Sequence, residues 1–423
     1  MVVRNQQLVI LGGGPAGAIS AILARQDDIN VTLIAPARCP PRLEGLSPRL
    51  HQWLDRQKLL KGFSGITGPL SRQVDWSGIS ESNLEFVVER AALDAHLQAH
   101  AEAMGATRLT TYARIEGHQV VLDGGARLHP DGIIDARGRA ARRTAPGGWP
   151  ATLALCGWLH ARVPPSPGIR ITALPQGWLW RVALADGRIW AQFVTDAASP
   201  APNPDPAPAR LLAAVALAEP DLRDLALSGD LTAREAAPRL PMPMSRADLR
   251  CLPVGDALAA MDPLSGHGQF WAVSSALAVA AVRRTLAADP DRADLCRRFL
   301  DQRAAETALR MARIGRDFLR HEGRFANAPF WAARRDLPDT LPAHPAAPDF
   351  RIASAPLIEQ GLIVQAEVLI TPRSPGGVGW FGRIPAARAY RLSLHGDAAL
   401  HHSYGPAAPA LIAALQAEAV APA

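Results

Sequence analysis

The chain has 423 residues, 45 Lys and Arg against 39 Asp and Glu for a formal net charge of +6, and only 4 cysteines; that length points to two or three domains with ample core. No basic block interleaved with aromatics occurs, which argues against nucleic acid, and Cys39, Cys156, Cys251 and Cys296 are too scattered for a zinc site or a disulfide framework. No run of eighteen apolar residues and no charged leader with a cleavage site is present, so a cytoplasmic protein without a membrane partner is expected.

Leu8 to Gly17, LVILGGGPAG, reads as a buried strand, a glycine turn and a helix start. Gly12 permits the turn, Gly14 lets backbone approach a pyrophosphate, and Gly17 lets the helix pack on the strand. With Pro15 and Ala16 opening that helix, its free N–H groups and dipole face the anion. GxGxxG alone is weak; the strand before it and the helix after it are the context a dinucleotide cradle requires. The second strand, Asn30 to Ala35, lacks the carboxylate that holds ribose hydroxyls. Ala35 stands there instead, which leaves the ribose to Arg38, Arg42 or main chain.

The loop Arg38 to Pro48 has three prolines and a glycine, which predict no regular structure, and its length beside a cofactor site marks it as functional. Arg42 and Glu44 read either as contacts to a flavin or its phosphates or as a surface ion pair. After the helix LHQWLDRQKLL and short strand-like pieces up to Val88, residues 89–105 form a helix with Leu93, Leu97 and Ala101 inward and Asp94 and Glu102 outward. Arg90 opposes the dipole at its start, a placement that favours a phosphate or flavin partner.

Arg114 to His129 reads as a hairpin turning at Asp123-Gly124-Gly125, followed by the strand IIDA. Residues 151–240 alternate apolar and polar, predicting an antiparallel sheet with one face on a core and the other on a pocket. Trp158, Trp178, Trp180 and Trp190 lie in it. A Pro/Ala connector, 200–208, leads to a helical run reaching about Leu227.

The second motif is Val254-Gly255-Asp256-Ala257, then Asp262-Pro263-Leu264-Ser265-Gly266-His267-Gly268, then an Ala-rich helix. Asp256 can accept a ribityl hydroxyl. The following turn offers Pro263, Gly266 and Gly268 as backbone contacts and free N–H groups at a helix start, suited to the flavin N1/O2 edge that becomes anionic on reduction. Helices continue to about Arg335. A Pro-rich linker then precedes a small unit read as helix, strand, a hairpin tip at TPRSPGGVGWFG, strand and helix.

GGGPAG, Arg90 with Leu93-Asp94, Asp135-Ala136-Arg137-Gly138 and GDA…DPLSGHG together resemble the flavin-dependent monooxygenases of the aromatic-hydroxylase and flavin-halogenase superfamily, over about residues 1 to 335. The resemblance implies an α/β fold with a dinucleotide-binding FAD domain of the aromatic-hydroxylase type (1–70, 88–150 and 246–345). An inserted antiparallel β-sheet substrate domain (71–87 and 151–245) and a small C-terminal domain (346–423) complete it. It implies FAD, reduced by NADH or NADPH directly or through a reductase, and O2, giving a C4a-(hydro)peroxyflavin that oxygenates an electron-rich ring.

Halogenases carry a lysine upstream of a strand ending in Trp; aligned on SRQVDW it falls near Gly68, and no lysine follows Lys61. Their WxWxIP motif is altered here to Trp178-Leu179-Trp180-Arg181-Val182-Ala183. Oxygen transfer is therefore expected over halogenation. Within the superfamily the chain looks like the flavoproteins that hydroxylate tryptophan in a peptide or protein during tryptophylquinone biogenesis, as in quinohemoprotein amine dehydrogenase maturation. His267 is the leading candidate for proton delivery; Trp76, Trp178, Trp180 and Gln192 are pocket candidates. Competing readings are a halogenase or hydroxylase of a small aromatic metabolite, a geranylgeranyl-reductase-like FAD reductase, and a non-catalytic assembly factor.

Overall fold

The structure is a computed structural model that describes residues 7–37, 42–77, 82–141, 144–146, 148–198, 206–343 and 349–419. The strand Gln7–Leu11 runs parallel to Gly132–Asp135 on one side and Asn30–Ala35 on the other. Cys251–Pro253 and Thr107–Thr110 complete a five-stranded parallel sheet. Side chains alternate across a strand, and this one is covered on both faces from Leu8 onward, hence apolar from Leu8 to Leu11. Leu8 and Ile10 pack in the core shared with the helices Pro15–Gln26, Arg90–Ala103 and Gly268–Ala288. Val9 and Leu11 lie under a small antiparallel meander, Ala113–Glu116, Gln119–Leu122 and Arg127–Leu128. The single hairpin expected there is thus three strands, because Gly117, at φ +61°, supplies a second turn.

Beside the parallel sheet stands a nine-stranded one, antiparallel except where Gly168–Leu174 runs parallel to Ile66–Asp75. Trp178 and Trp180 of the strand Gly177–Ala183 share one face with Ala154, Cys156 and Ile171. Leu179, Leu155 and Phe193 share the other, under the helix Ala207–Ala218. That helix stops well before Leu227, since Pro220 disfavours helical backbone at Glu219. Leu43–Leu46 pairs antiparallel with Ser82–Glu89, so the loop expected to be irregular contributes a strand, with Leu43 and Leu46 buried.

The helix Gly268–Ala288 is long and apolar enough to cross a membrane by length and composition. Its apolarity has another cause: Ala276, Val279, Ala280 and Val282 pack within the main core. The C-terminal unit begins with two nine-residue strands, Arg351–Glu359 and Leu362–Ile370. Their turn is Gln360-Gly361, both at positive φ as a type I′ turn requires; the Pro/Gly segment predicted as the tip makes a further turn, closed by an antiparallel bridge between Leu369 and Val378. Three helices follow, Ala386–Ser393, Asp397–Tyr404 and Ala408–Glu418. The Ile363 N–H donates to Thr285 Oγ1 at 2.7 Å, tying this unit to the core helix.

Candidate active site

The parallel strand Gln7–Leu11 ends at Gly12, whose φ of +108° strongly favours glycine and where a Cβ would overlap the Ala136 carbonyl. A Cβ on Gly17 would overlap the Gly12 carbonyl oxygen, so this glycine seats the helix on the turn from beneath. Gly14 caps the helix with no side-chain hydrogen bond, which leaves first-turn N–H groups open to a ligand. Gly12, Gly14, Pro15 and Ala16 all line a cavity of about 1060 Å³ between the two sheets. That is at the top of the range for small-molecule sites, roughly 300–1,000 Å³.

At the end of Asn30–Ala35 the methyl of Ala35 lies against Gly13, where a Cβ would sit 2.7 Å away. Gln98 donates to the Gly13 carbonyl at 2.7 Å and accepts from Arg108 at 3.1 Å. Pro36, Thr111, Tyr112 and Arg137 form the cavity edge beyond. Arg38, expected as an alternative ribose contact, falls outside the described residues.

Arg42 and Arg90 both line the cavity, joined by Glu44. Glu44 accepts from Arg42 Nε at 3.1 Å, from Arg90 Nη1 at 3.1 Å and from the Gln269 side chain, with Arg234 at 3.9 Å. Burial alone would raise its carboxyl, but Arg90, Arg42 and Arg234 outweigh that and hold it at about 2. The surface-pair reading of Arg42 and Glu44 is therefore replaced by a buried hub joining four segments. Arg90 also binds Asp94 at 2.7 Å. Asp94, expected outward, is buried for that reason, and burial pushes its carboxyl up against the pull of Arg90.

Gly255 takes φ +59°, and its N–H donates to Ser275 Oγ at 2.8 Å. Asp256 faces the cavity 3.7 Å from Arg139; burial raises its carboxyl although Arg139 opposes. The turn Pro263–Ser265 follows, begun by Asp262, whose Oδ1 accepts from the Leu264 N–H at 2.8 Å. Pro263, Gly266 and Gly268 line the cavity, and a Cβ on either glycine would meet nothing within 4 Å. The long helix behind them is likewise uncapped by any side chain.

Trp178, Trp180 and Gln192 form the opposite wall; Gln192 Oε1 accepts from Arg234 at 3.0 Å. Two expected site residues lie elsewhere. The His267 side chain does not line the cavity, because its Nδ1 turns back onto the Ser265 carbonyl. Trp76 is buried in a core cluster, donating from Nε1 to the Phe318 carbonyl at 2.7 Å and meeting Trp331 edge-on. Sequence reading assigned no separate role to Asp262, Gln269, Arg139 or Arg234. Asp262 opens the quoted turn and Gln269 follows it, whereas Arg234 arrives from the short strand Thr232–Glu235, which carries no motif.

An uncapped glycine turn on a parallel sheet, a second turn facing it and an aromatic wall opposite define a flavin-dependent oxidative enzyme, and the residues present fit FAD. No protein-family model and no curated protein matches the sequence. Among solved structures the chain is similar to the peptidyl tryptophan dihydroxylase QhpG, essential for tryptophylquinone cofactor biogenesis. The two are 32% identical with a TM-score of 0.79, over 98% of this chain and 99% of that one. The flavin-dependent halogenase CmlS (16% identity, TM-score 0.75, 98% and 95% covered) and the myxobacterial chondrochloren halogenase CndH (20%, 0.62, 79% and 87%) share the fold. The chain belongs to the family of QhpG.

Proposed function

We propose that this FAD-dependent monooxygenase hydroxylates a tryptophan side chain within a peptide or small protein during tryptophylquinone biogenesis, using O2 and electrons from NADH or NADPH, directly or through a reductase. The observation that carries this reading is one continuous cavity running from the Gly12 turn to the Trp178 and Trp180 wall, in a chain similar to a peptidyl tryptophan dihydroxylase over nearly its full length. FAD, when bound and reduced, supplies the two electrons that activate O2.

The chain's residues do the rest. The turn Gly12 to Ala16 holds the pyrophosphate, with Thr111, Tyr112 and Arg137 at the ribose end in place of the absent carboxylate. Arg42 and Arg90 add positive potential, and Asp256 takes a ribityl hydroxyl. Gly266 and Gly268 present N–H groups to the flavin edge, where negative charge develops on reduction. Trp178 and Trp180, with Ile171 and Ala154, make a dry aromatic wall against which an indole can stack and from which water is excluded.

Gly68, the position aligned with the halogenase lysine, has φ +136°, and a Cβ there would lie 3.0 Å from the Glu85 carbonyl oxygen. A side chain is strained at that point, which supports oxygen transfer over halogenation. The test incubates the protein with FAD, NADH and a tryptophan-bearing precursor peptide, with and without air and with chloride present. One or two oxygen atoms gained on tryptophan in air alone is the expected result. Incorporation of a halogen, or reduction of the substrate without oxygen, would refute it.

A further inference from the structure

Six carboxylates line the large cavity: Glu44, Glu85, Asp94, Glu235, Asp256 and Asp262. Five have an arginine within ion-pair distance: Arg42 and Arg90 for Glu44, Arg72 for Glu85, Arg90 for Asp94, Arg239 for Glu235 and Arg139 for Asp256. Asp262 alone has none among the described residues. Its Oδ1 is used by the Leu264 N–H, while Oδ2 has no hydrogen-bond partner among them. Gly315 of the helix Ala293–His321 lets the carboxyl pack close, since a Cβ there would stand 2.9 Å from Cγ and 3.0 Å from Oδ2.

Asp262 also marks a boundary. Together with Trp178, Pro263 and Leu264 it lines both the large cavity and a second one of about 20 Å³, enough for about one water molecule. Thr152 and Arg334 line the far side of that small cavity. Arg334 is engaged there by Asp196 at 2.6 Å and Thr152 Oγ1 at 2.9 Å.

We propose that Asp262 is a catalytic carboxylate of the oxygenation, taking through Oδ2 the proton that the substrate ring loses and passing it to water in the small cavity beside Thr152 and Arg334. The inference rests on the hydroxylation reading. The oxygen comes from O2 activated at reduced flavin. As the ring carbon–oxygen bond forms and the oxygen–oxygen bond breaks, the second oxygen atom of O2 ends as water, and the ring becomes cationic with a hydrogen still on the attacked carbon. That hydrogen leaves as a proton to the carboxylate, and the carbon–hydrogen electron pair restores the aromatic ring.

Burial pushes the Asp262 carboxyl up to about 6, against the Leu264 N–H and the more distant Arg334 and Arg139. These two arginines are the charged groups that bear on it; the helix opposite presents Gly315, and His267 on its own turn is occupied by the Ser265 carbonyl. Glu44, held at about 2, is too weak a base for the same task.

The test compares the full-length FAD-loaded chain with Asp262→Asn and Asp262→Glu, scoring flavin content, peptide product in a single turnover, and hydrogen peroxide across pH. In Asp262→Asn, flavin content holds, product formation falls by roughly 100-fold or more, as for loss of a general base, and peroxide rises. The wild-type rate bends near pH 6 and the bend disappears in Asp262→Asn, while Asp262→Glu recovers part of the rate. An FAD-loaded Asp262→Asn chain with wild-type product yield and the same bend overturns the assignment alone. If the variant fails to hold FAD, a wild-type rate that is flat through that pH range overturns it equally. A wild type that puts no oxygen on the peptide overturns the hydroxylation reading and this assignment with it.

Discussion

Glu44 sits where three arginines and a glutamine converge, so its charge is a structural necessity. Its carboxyl is lowered from 4.5 to about 2 on folding, so ionised Glu44 stabilises the native state fully above about pH 4.5, and this is lost as pH falls through about 2. Glu44→Gln breaks a buried pair, a change that costs roughly 3–5 kcal/mol. In urea titrations the gap between wild type and variant is expected to be widest near neutrality and to close toward pH 2. His267→Ala gives the opposite kind of result: with the ring on the Ser265 carbonyl, turnover falls by far less than the roughly 100-fold minimum expected of a general acid or base. At this scale the sequence was legible where main chain lines the cavity, as at Gly12, Gly14 and Gly266. It was illegible where a side chain's direction decides, as for His267, or where partners converge from distant strands, as Arg234 does on Glu44.

The two turns respond differently to substitution because their glycines serve different purposes. Gly14 has φ −70°, and a Cβ there meets no main chain, only the end of the Arg90 side chain at 2.8 Å. Gly14→Ala therefore folds, with a melting temperature close to wild type, and loses flavin absorbance because the backbone no longer closely approaches the pyrophosphate. Gly12→Ala combines a left-handed backbone with a clash against main chain and yields little folded protein. Trp76→Ala leaves a void beside Trp331 and costs about 3–5 kcal/mol in chemical denaturation, with flavin content in the remaining folded protein unchanged. Elements with a long, regular period were readable: the first strand and helix, the helix from Arg90, the strands from residue 152. Those missed were short or turned on a single residue: Leu43–Leu46, the Gly117 turn and the Gln360-Gly361 hairpin, whose φ signs no apolar pattern reveals.

For the molecule as a whole, the cleft lies between a parallel sheet that supplies backbone donors and an antiparallel one that supplies indole rings. Their relative placement depends on Ile66–Asp75 joining Gly168–Leu174 across nearly a hundred residues, a pairing with no local sequence signal. The C-terminal unit leans on the same frame through Thr285 and Ile363. Thr285→Val leaves that buried N–H without its acceptor, about 1–3 kcal/mol, seen as faster hydrogen exchange in Leu362–Ile370 while flavin stays bound. The central claim is that this frame places oxygen from O2 on a peptide tryptophan. Isotopically heavy O2, supplied with FAD, NADH and the precursor peptide, tests it most directly by mass spectrometry. Heavy oxygen on the tryptophan ring, one atom for each hydroxyl formed, is the expected result; a ring unchanged in mass, or oxygen of solvent origin, would contradict it.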